Sequence, residues 1–246
     1  PSMLTDNWIM GAVDILLAMF TAYIFFLYFD IFFKKKERSI GVLIGIVVFI
    51  LWQLTSQEIV RVLPAGWNIG VTVGVTLFTV VNIFYGKIWK KCFFAIIFDT
   101  VWMLVETLVN NLLMLYCERL AVSQGFGEFA SKLLFFVVIV ALKKVFTNEE
   151  IKELPAGHNI LLIFIPVGSI YIMNAVFTMA YSAGWRYAEV YSLISVIILL
   201  LINILIFYIY IKLADDLNIK RMNVVYEHQL DLCERHQEET EISMLQ

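Results

Sequence analysis

The chain has few of the residues on which soluble enzymes and disulfide-rich proteins depend. Of its 246 residues only 16% are charged, four are proline and three are cysteine. Cys92, Cys117 and Cys233 lie far apart without a CxxC pair, so neither a disulfide framework nor a zinc site is indicated. The net charge of −3 excludes a basic nucleic-acid-binding protein. Phosphate-binding glycine loops and the common hydrolase motifs are also missing, so no catalytic residues are predicted.

Apolar residues dominate what is present. They make up 61% of the chain, and the mean hydropathy is +0.83, which is typical of integral membrane proteins. Runs of about 18 to 25 apolar residues, long enough to cross a bilayer, occur seven times. We predict an all-α polytopic membrane protein with seven transmembrane helices near residues 8–33, 40–57, 67–85, 92–116, 129–146, 159–181 and 190–211.

The distribution of lysine and arginine predicts the orientation of these helices. With the N-terminus outside, the inner segments and the tail carry 14 basic residues. The outer side carries four, Arg61, Arg119, Lys132 and Arg186. Basic residues accumulate on the cytoplasmic side of membrane proteins. We therefore predict an N-out, C-in topology.

The fourth predicted span carries a polar stripe. Asp99, Glu106 and Asn110 follow each other at i, i+7 and i+11, one face of a helix, with Trp102 beside them. One interpretation is interhelical hydrogen bonding, with Glu106 bonded to Gln53, Asn82 or Asn174. A second is a proton or ion relay, and a third is an outward-facing ligand cavity. Its candidate binding residues are Glu106, Asn110, Trp102, Arg61, Arg119, Trp185 and Arg186.

Two glycine pairs predict close packing between helices. Gly41 and Gly45 are four residues apart in the second span, and Gly70 and Gly74 in the third. Small residues at this spacing let helix backbones approach each other. We expect contacts within the chain, with a dimer interface as the alternative.

The last 34 residues differ from the rest of the chain. Residues 1–212 have a net charge of +2, and residues 213–246 have 3 basic and 8 acidic residues, a net charge of −5. Helix-forming residues continue through this tail without proline or glycine, so the last transmembrane helix is predicted to leave the membrane unbroken. We divide the chain into a transmembrane bundle, 1–212, and a cytoplasmic helix with weak coiled-coil periodicity, 213–246.

The tail also carries a recognisable pattern. Residues 221–239 read Arg-Met-Asn-Val-Val-Tyr-Glu-His-Gln-Leu-Asp-Leu-Cys-Glu-Arg-His-Gln-Glu-Glu. This segment resembles the linker helix of peptide-sensing bacterial histidine kinases of the accessory gene regulator C type. In that family a bundle of six or seven helices precedes such a tail, and a phosphoacceptor helix and a GHKL-type ATP-binding domain follow it.

The resemblance implies the membrane sensor of a quorum-sensing two-component system in the bacterial plasma membrane. Its expected partners are an extracellular peptide pheromone, a second copy of the chain bound through the tail, and a cytoplasmic response regulator reached through a kinase domain absent from this chain. ATP and Mg²⁺ are expected for that domain, and no cofactor is expected here. His228 and His236 each precede glutamine, whereas the family's phosphoacceptor precedes Asp or Glu, so that histidine is expected beyond the chain.

A different class of protein stays possible from the sequence. A small-molecule transporter, or a membrane subunit of one, would use midplane polar residues such as Asp99, Glu106, Asn82 and Asn174. A charged helical tail has no evident role in a transporter. The sequence also lacks the pairs of Gly- or Pro-interrupted spans that many transporters have. An intramembrane hydrolase would need facing acid or histidine pairs, which the sequence does not suggest.

Overall fold

The computed structural model describes residues 2–37, 40–62, 65–116, 125–146, 154–182 and 188–244, and almost all of them are helical. Within these ranges the all-α prediction is confirmed. Each predicted span lies on a helix, although several helices extend beyond the predicted bounds. The helices are α1 Ser2–Phe32, α2 Ile40–Val62, α3 Ala65–Ile83, α4 Ile88–Tyr116, α5 Phe126–Phe146, α6 Ala156–Ser182 and α7 Ala188–Met244.

Four of these helices are long and apolar enough to cross a membrane. They are α1 over Gly11–Phe32, α4 over Ile88–Tyr116, α6 over Ala156–Val176 and α7 from Val190 onward. The apolar stretches of α2 and α3 are shorter, and α5 carries four charged side chains. The membrane character is therefore confirmed, and the count of seven spans stays a prediction for α2, α3 and α5.

The outer surface of the bundle is also apolar. Phe164 and Leu161 of α6 are 68% and 67% exposed, and Leu201 and Leu205 of α7 are 62% and 54% exposed. Soluble monomers rarely expose apolar patches larger than a few hundred Å². Hydrocarbon chains would cover this surface, in agreement with a membrane protein.

Helix α4 lies at the centre of the bundle. It packs against α3, α5, α6 and α7, whereas α1 packs against α2 and α5. Its sequence suits this position, because apart from Asp99 and Thr100 the helix is apolar from Phe93 to Val105, and most of these residues are buried. A helix that is apolar on nearly all sides is found in a protein core or in a membrane.

An aromatic cluster joins α1, α4 and α7 in one half of the bundle. The rings of Phe32 and Phe94 stack with centroids 3.9 Å apart, and Phe93 stacks on Tyr210 at 4.7 Å. Tyr28 is almost completely buried and its hydroxyl donates a hydrogen bond to the Phe94 carbonyl at 3.1 Å. Aromatic pairs in such geometries contribute about 0.5–1.5 kcal/mol beyond their buried area.

Lysines close the helix ends beside this cluster. Lys90 Nζ donates to the Phe32 carbonyl at 3.1 Å, and Lys91 Nζ donates to the Phe84 carbonyl at 2.8 Å. Lys36 Nζ reaches a carbonyl in the last turn of α3 at 2.7 Å. Cations are favourable at helix C-termini, where backbone carbonyls lack partners. We call this side of the bundle the basic end, defined by Lys36, Lys90 and Lys91.

The two glycine pairs have different outcomes. A Cβ added to Gly45 would lie 3.1 Å from Ile83 Cγ1 and 3.3 Å from Asn82 Cβ, so the glycine permits close packing of α2 on α3. The prediction is confirmed at this position. A Cβ added to Gly70 or Gly74 would meet no described atom of another helix within 4 Å. The expected packing of this second pair within the chain is wrong, because α3 turns it away from the other described helices.

Helix α7 is much longer than the bundle is thick. It contains 57 residues without a break, which corresponds to about 85 Å. Ala214 is its last buried residue, and every described side chain from Ile219 to Met244 is exposed. The predicted continuity from the last span into the tail is confirmed, while the coiled-coil pairing stays a prediction.

Candidate functional site

A cavity of about 500 Å³ lies between α2, α3, α4 and α5. Its size falls in the range of small-molecule binding sites. The lining combines aromatic walls with acidic and amide side chains. The lining residues are Phe49, Trp52, Gln53, Ser56, Asn68, Ile69, Thr72, Val73, Phe98, Asp99, Trp102, Met103, Glu106, Glu128, Ser131 and Lys132.

Helix α4 supplies the acidic wall of the cavity. Asp99, Trp102 and Glu106 are spaced i, i+3 and i+7, so one helix face presents all three to the same space. Thr76 of α3 donates a hydrogen bond to Asp99 Oδ1 at 3.0 Å. Asp99 is 6% exposed, and its Oδ2 is buried without a hydrogen-bond partner among the described residues.

Helix α5 supplies an ion pair at the opposite wall. Lys132 is buried, and its Nζ bonds the carboxylate of Glu128 one turn earlier in the helix. Ser131 Oγ donates to the Glu128 carbonyl at 2.9 Å, which fixes the first turn of α5. Both charges lie within electrostatic range of Glu106. Lys132 is thus paired with a carboxylate of its own helix.

The cavity contains some of the predicted binding residues. Glu106 and Trp102 line it, as expected for that interpretation of the polar stripe. Asn110 does not line it: its side chain is exposed, and a Cβ added to Gly127 of α5 would lie 3.2 Å from its Oδ1. Arg61 belongs to α2, but its side chain is outside the described set. Three further candidates, Arg119, Trp185 and Arg186, lie outside the described residues.

The structure places the three predicted hydrogen-bond partners of Glu106 in different surroundings. Gln53 lines the same cavity. The side-chain amides of Asn82 and Asn174 donate instead to carbonyls of their own helices, at 2.8 and 2.9 Å. These two asparagines thus bond within their own turns instead of joining helices.

Other polar side chains do join helices, and they lead from α4 to α7. Asn111 Nδ2 of α4 donates to Ser192 Oγ of α7 at 2.9 Å, on the side away from the basic end. Asn203 Nδ2 of α7 donates to Ser169 Oγ of α6 at 2.8 Å. All four residues are buried. Helix α4 therefore faces the cavity on one side and holds α7 on another.

Sequence reasoning missed several residues of the cavity. Trp52, Asn68 and Thr72 sit on α2 and α3, where nothing in the sequence distinguishes them from lipid-facing or loop-end residues. Glu128 and Lys132 carried a usable pattern, because opposite charges four residues apart pair on a helix. Lys132 was assigned to the outer side of the membrane, which stays a prediction; the structure adds that it is buried in the first turns of α5.

No metal site accompanies the cavity in the part of the chain that the structure describes, where no three His, Cys, Asp or Glu side chains are grouped to hold an ion. ATP and Mg²⁺ stay expectations for a kinase domain outside this chain. The chain matches no family model, no curated protein and no solved structure.

Proposed function

We propose that this chain is the membrane sensor module of a two-component histidine kinase that responds to an extracellular peptide. In this proposal seven helices cross the bacterial plasma membrane with the N-terminus outside. A peptide enters the cavity from the outer side, and α7 carries the response to a kinase domain outside the chain, which acts on a response regulator. We propose this family because residues 221–239 resemble the linker helix of such kinases.

The observation that carries the proposal is that α4 both lines the cavity and contacts α7. Trp102 and Glu106 face the cavity, while Asn111 and Phe93 of the same helix contact α7 at Ser192 and Tyr210 respectively. A ligand shifts a conformational equilibrium only through contacts that differ between the two states. An occupant that displaces α4 would change its contacts with α7, and this arrangement supports a coupling between the cavity and α7.

The charges of the helix ends support the proposed orientation. Lys36, Lys90 and Lys91 gather at the basic end, which the positive-inside rule assigns to the cytoplasm. The cavity lies toward the other side, between the first turns of α3 and α5. A ligand would then approach from outside, and the exposed part of α7 would extend into the cytoplasm.

The exposed tail supports a homodimer. Met222, Val225 and Leu232 lie on one stripe of α7 beyond the bundle, and they are 47%, 56% and 52% exposed. Apolar side chains at alternating spacings of three and four are the ones that pair in coiled coils. Pairing with a second copy would cover this stripe and bring two kinase domains together.

The rival proposal, a small-molecule transporter, has one observation in its favour. Asp99 is a buried carboxyl about 12 Å along α4 from Lys91, which is well inside the hydrocarbon thickness, and intramembrane carboxyls often mark transport paths. The two proposals differ in the expected behaviour of the tail. A sensor should change the conformation of the tail when ligand binds, whereas transport does not require such a change.

The test uses a spin label on the tail of the full chain in lipid nanodiscs. Cys233 is exposed, and Cys92→Ser with Cys117→Ser leaves it as the single labelling site. We expect a member of a library of short synthetic peptides to change the Cys233 spectrum. Glu106→Gln should weaken this response at least tenfold in peptide concentration, and a label at Val145→Cys, on exposed α5 surface, should not respond.

Two results would contradict the proposal. One is a peptide that quenches tryptophan fluorescence by binding but leaves the Cys233 spectrum unchanged. The other is accumulation of the bound compound inside proteoliposomes, which would favour the transporter. A full response by the Glu106→Gln variant would keep the sensor function but remove Glu106 from the site.

A further inference from the structure

Two buried acceptors of the cavity lack donors. Asp99 Oδ2 and Asn68 Oδ1 are both fully covered and accept no hydrogen bond from the described residues. Both residues line the cavity, and Asp99 is 6% exposed. Buried polar atoms in folded proteins are nearly always hydrogen-bonded. An occupant that reached either oxygen would have to present an N–H or O–H donor.

The charge of the lining selects among such donors. Asp99, Glu106 and Glu128 are acidic, and Lys132 is basic, so the lining has a formal charge of −2. Lys132 bonds Glu128 and is also within electrostatic range of Glu106, so a single lysine serves three carboxyls of the lining. A neutral donor would satisfy hydrogen bonds but not this imbalance, whereas a cation satisfies both.

Aromatic rings select the kind of cation. Trp52 and Trp102 line the same space, together with Phe49 and Phe98. The faces of aromatic rings attract ammonium and guanidinium groups, most strongly for tryptophan and in desolvated sites. A small inorganic ion would gain little from such walls. The combination of carboxylates and indoles is therefore suited to an organic cation.

We propose that the cavity binds an ammonium or guanidinium group, held between the carboxyls of Asp99 and Glu106 and the rings of Trp52 and Trp102. The group belongs either to a basic side chain or amino terminus of a peptide, or to a free small amine. The inference rests on the proposed function only in taking this cavity as the ligand site. It adds the chemistry of the group that the ligand must carry.

The decisive probes differ by charge alone. N-acetyl-arginine amide and N-acetyl-citrulline amide have nearly the same shape, and only the first is cationic. Calorimetric titration of the full chain in nanodiscs should show the arginine compound binding at least tenfold more tightly, about 1.4 kcal/mol. Equal affinity of the two compounds within twofold would overturn the proposal, as would the failure of every cationic probe to bind.

Variants of the two carboxyls identify the site. Asp99→Asn keeps the oxygen that accepts from Thr76, and Glu106→Gln keeps the side-chain length. Each should weaken arginine binding about tenfold while the citrulline compound is unaffected. Asp231→Asn, on the exposed tail, is the matched control and should bind as the unaltered chain does. Unchanged binding in both cavity variants would place the cation elsewhere and refute the assignment.

A further titration separates the two sources of the cation. Binding of putrescine as tightly as the arginine compound supports the site and points to a free amine, whereas a clear preference for the arginine compound supports the site and points to a peptide. Failure here is distinguishable from failure of the sensor proposal. If the two probes bind equally, the peptide response of the Cys233 label can still be observed. If the Cys233 label does not respond to any peptide, the preference for the cationic probe can still be measured.

Discussion

Replacing Asn203 with leucine and Ser169 with alanine, singly and together, will measure how firmly α7 is held to α6. The hydrogen bond from Asn203 Nδ2 to Ser169 Oγ is 2.8 Å long, and both side chains are buried. If α7 carries a response, this hydrogen bond must be weak enough for α7 to move relative to α6. A double-mutant cycle isolates the coupling between the two side chains from the other effects of each substitution.

The structure predicts a small coupling energy. Without Asn203, the hydroxyl of Ser169 still donates to the Ile165 carbonyl at 2.9 Å. Without Ser169, the amide of Asn203 still donates to the Leu199 carbonyl at 2.8 Å. Asn203→Leu therefore leaves no donor unpaired, whereas Ser169→Ala leaves one of the two amide N–H groups of Asn203 without its acceptor. Hydrogen bonds between membrane helices average about 0.6 kcal/mol and reach about 1.7 kcal/mol, and we expect a value between these two figures.

The assay is unfolding of the chain in mixed detergent micelles with increasing sodium dodecyl sulfate, followed by circular dichroism. The control cycle pairs Asn203→Leu with Thr55→Ala on the exposed face of α2, where the hydroxyl bonds only within its own helix in the described contacts. Distant sites are additive within about 0.3–0.5 kcal/mol. A coupling above about 2 kcal/mol for Asn203 and Ser169, or an equal coupling in the control, would refute the reasoning.

Two further predictions concern packing and helix ends, and both use the same unfolding assay. Gly45→Ala should destabilise the chain by about 1–3 kcal/mol, because its Cβ meets buried Ile83 at 3.1 Å. Gly70→Ala, with nothing within 4 Å, should be neutral or stabilising by up to about 1 kcal/mol, and an equal loss in both would contradict the assigned packing. Lys91→Met should cost about 1.5–3 kcal/mol, because its ammonium donates to the Phe84 carbonyl at 2.8 Å; unchanged stability would show that this carbonyl finds another donor.

The helices could be predicted because their main determinant is local. A run of apolar residues must form a helix in lipid, where every backbone group needs a partner within the segment. What each helix faces is not local. Gly45 and Gly74 occur in the same motif, yet only Gly45 meets a neighbouring helix among the described contacts, because the motif marks a small surface and not its direction.

The candidate site shows the same limit at the level of single residues. The stripe of Asp99, Glu106 and Asn110 was predicted to face one way, and the first two residues do share the cavity. Asn110 lies one turn further, where the first turn of α5 approaches α4 at Gly127. Lys132 was predicted to lie on the outer side, but nothing in the sequence indicated that it is buried beside the cavity. The sequence contains the periodicity of each helix, but the angles between helices decide which residue meets a neighbour.

The length of α7 also makes it a lever. Its last buried residue, Ala214, lies about 33 Å from Ser192 and about 45 Å from Met244, at 1.5 Å per residue. A rigid tilt about Ala214 that shifted Ser192 by 1 Å would move Met244 by roughly 1.4 Å in the opposite direction. The tip would move more than the end that is pushed, so a modest adjustment around Ser192 is magnified along the exposed arm.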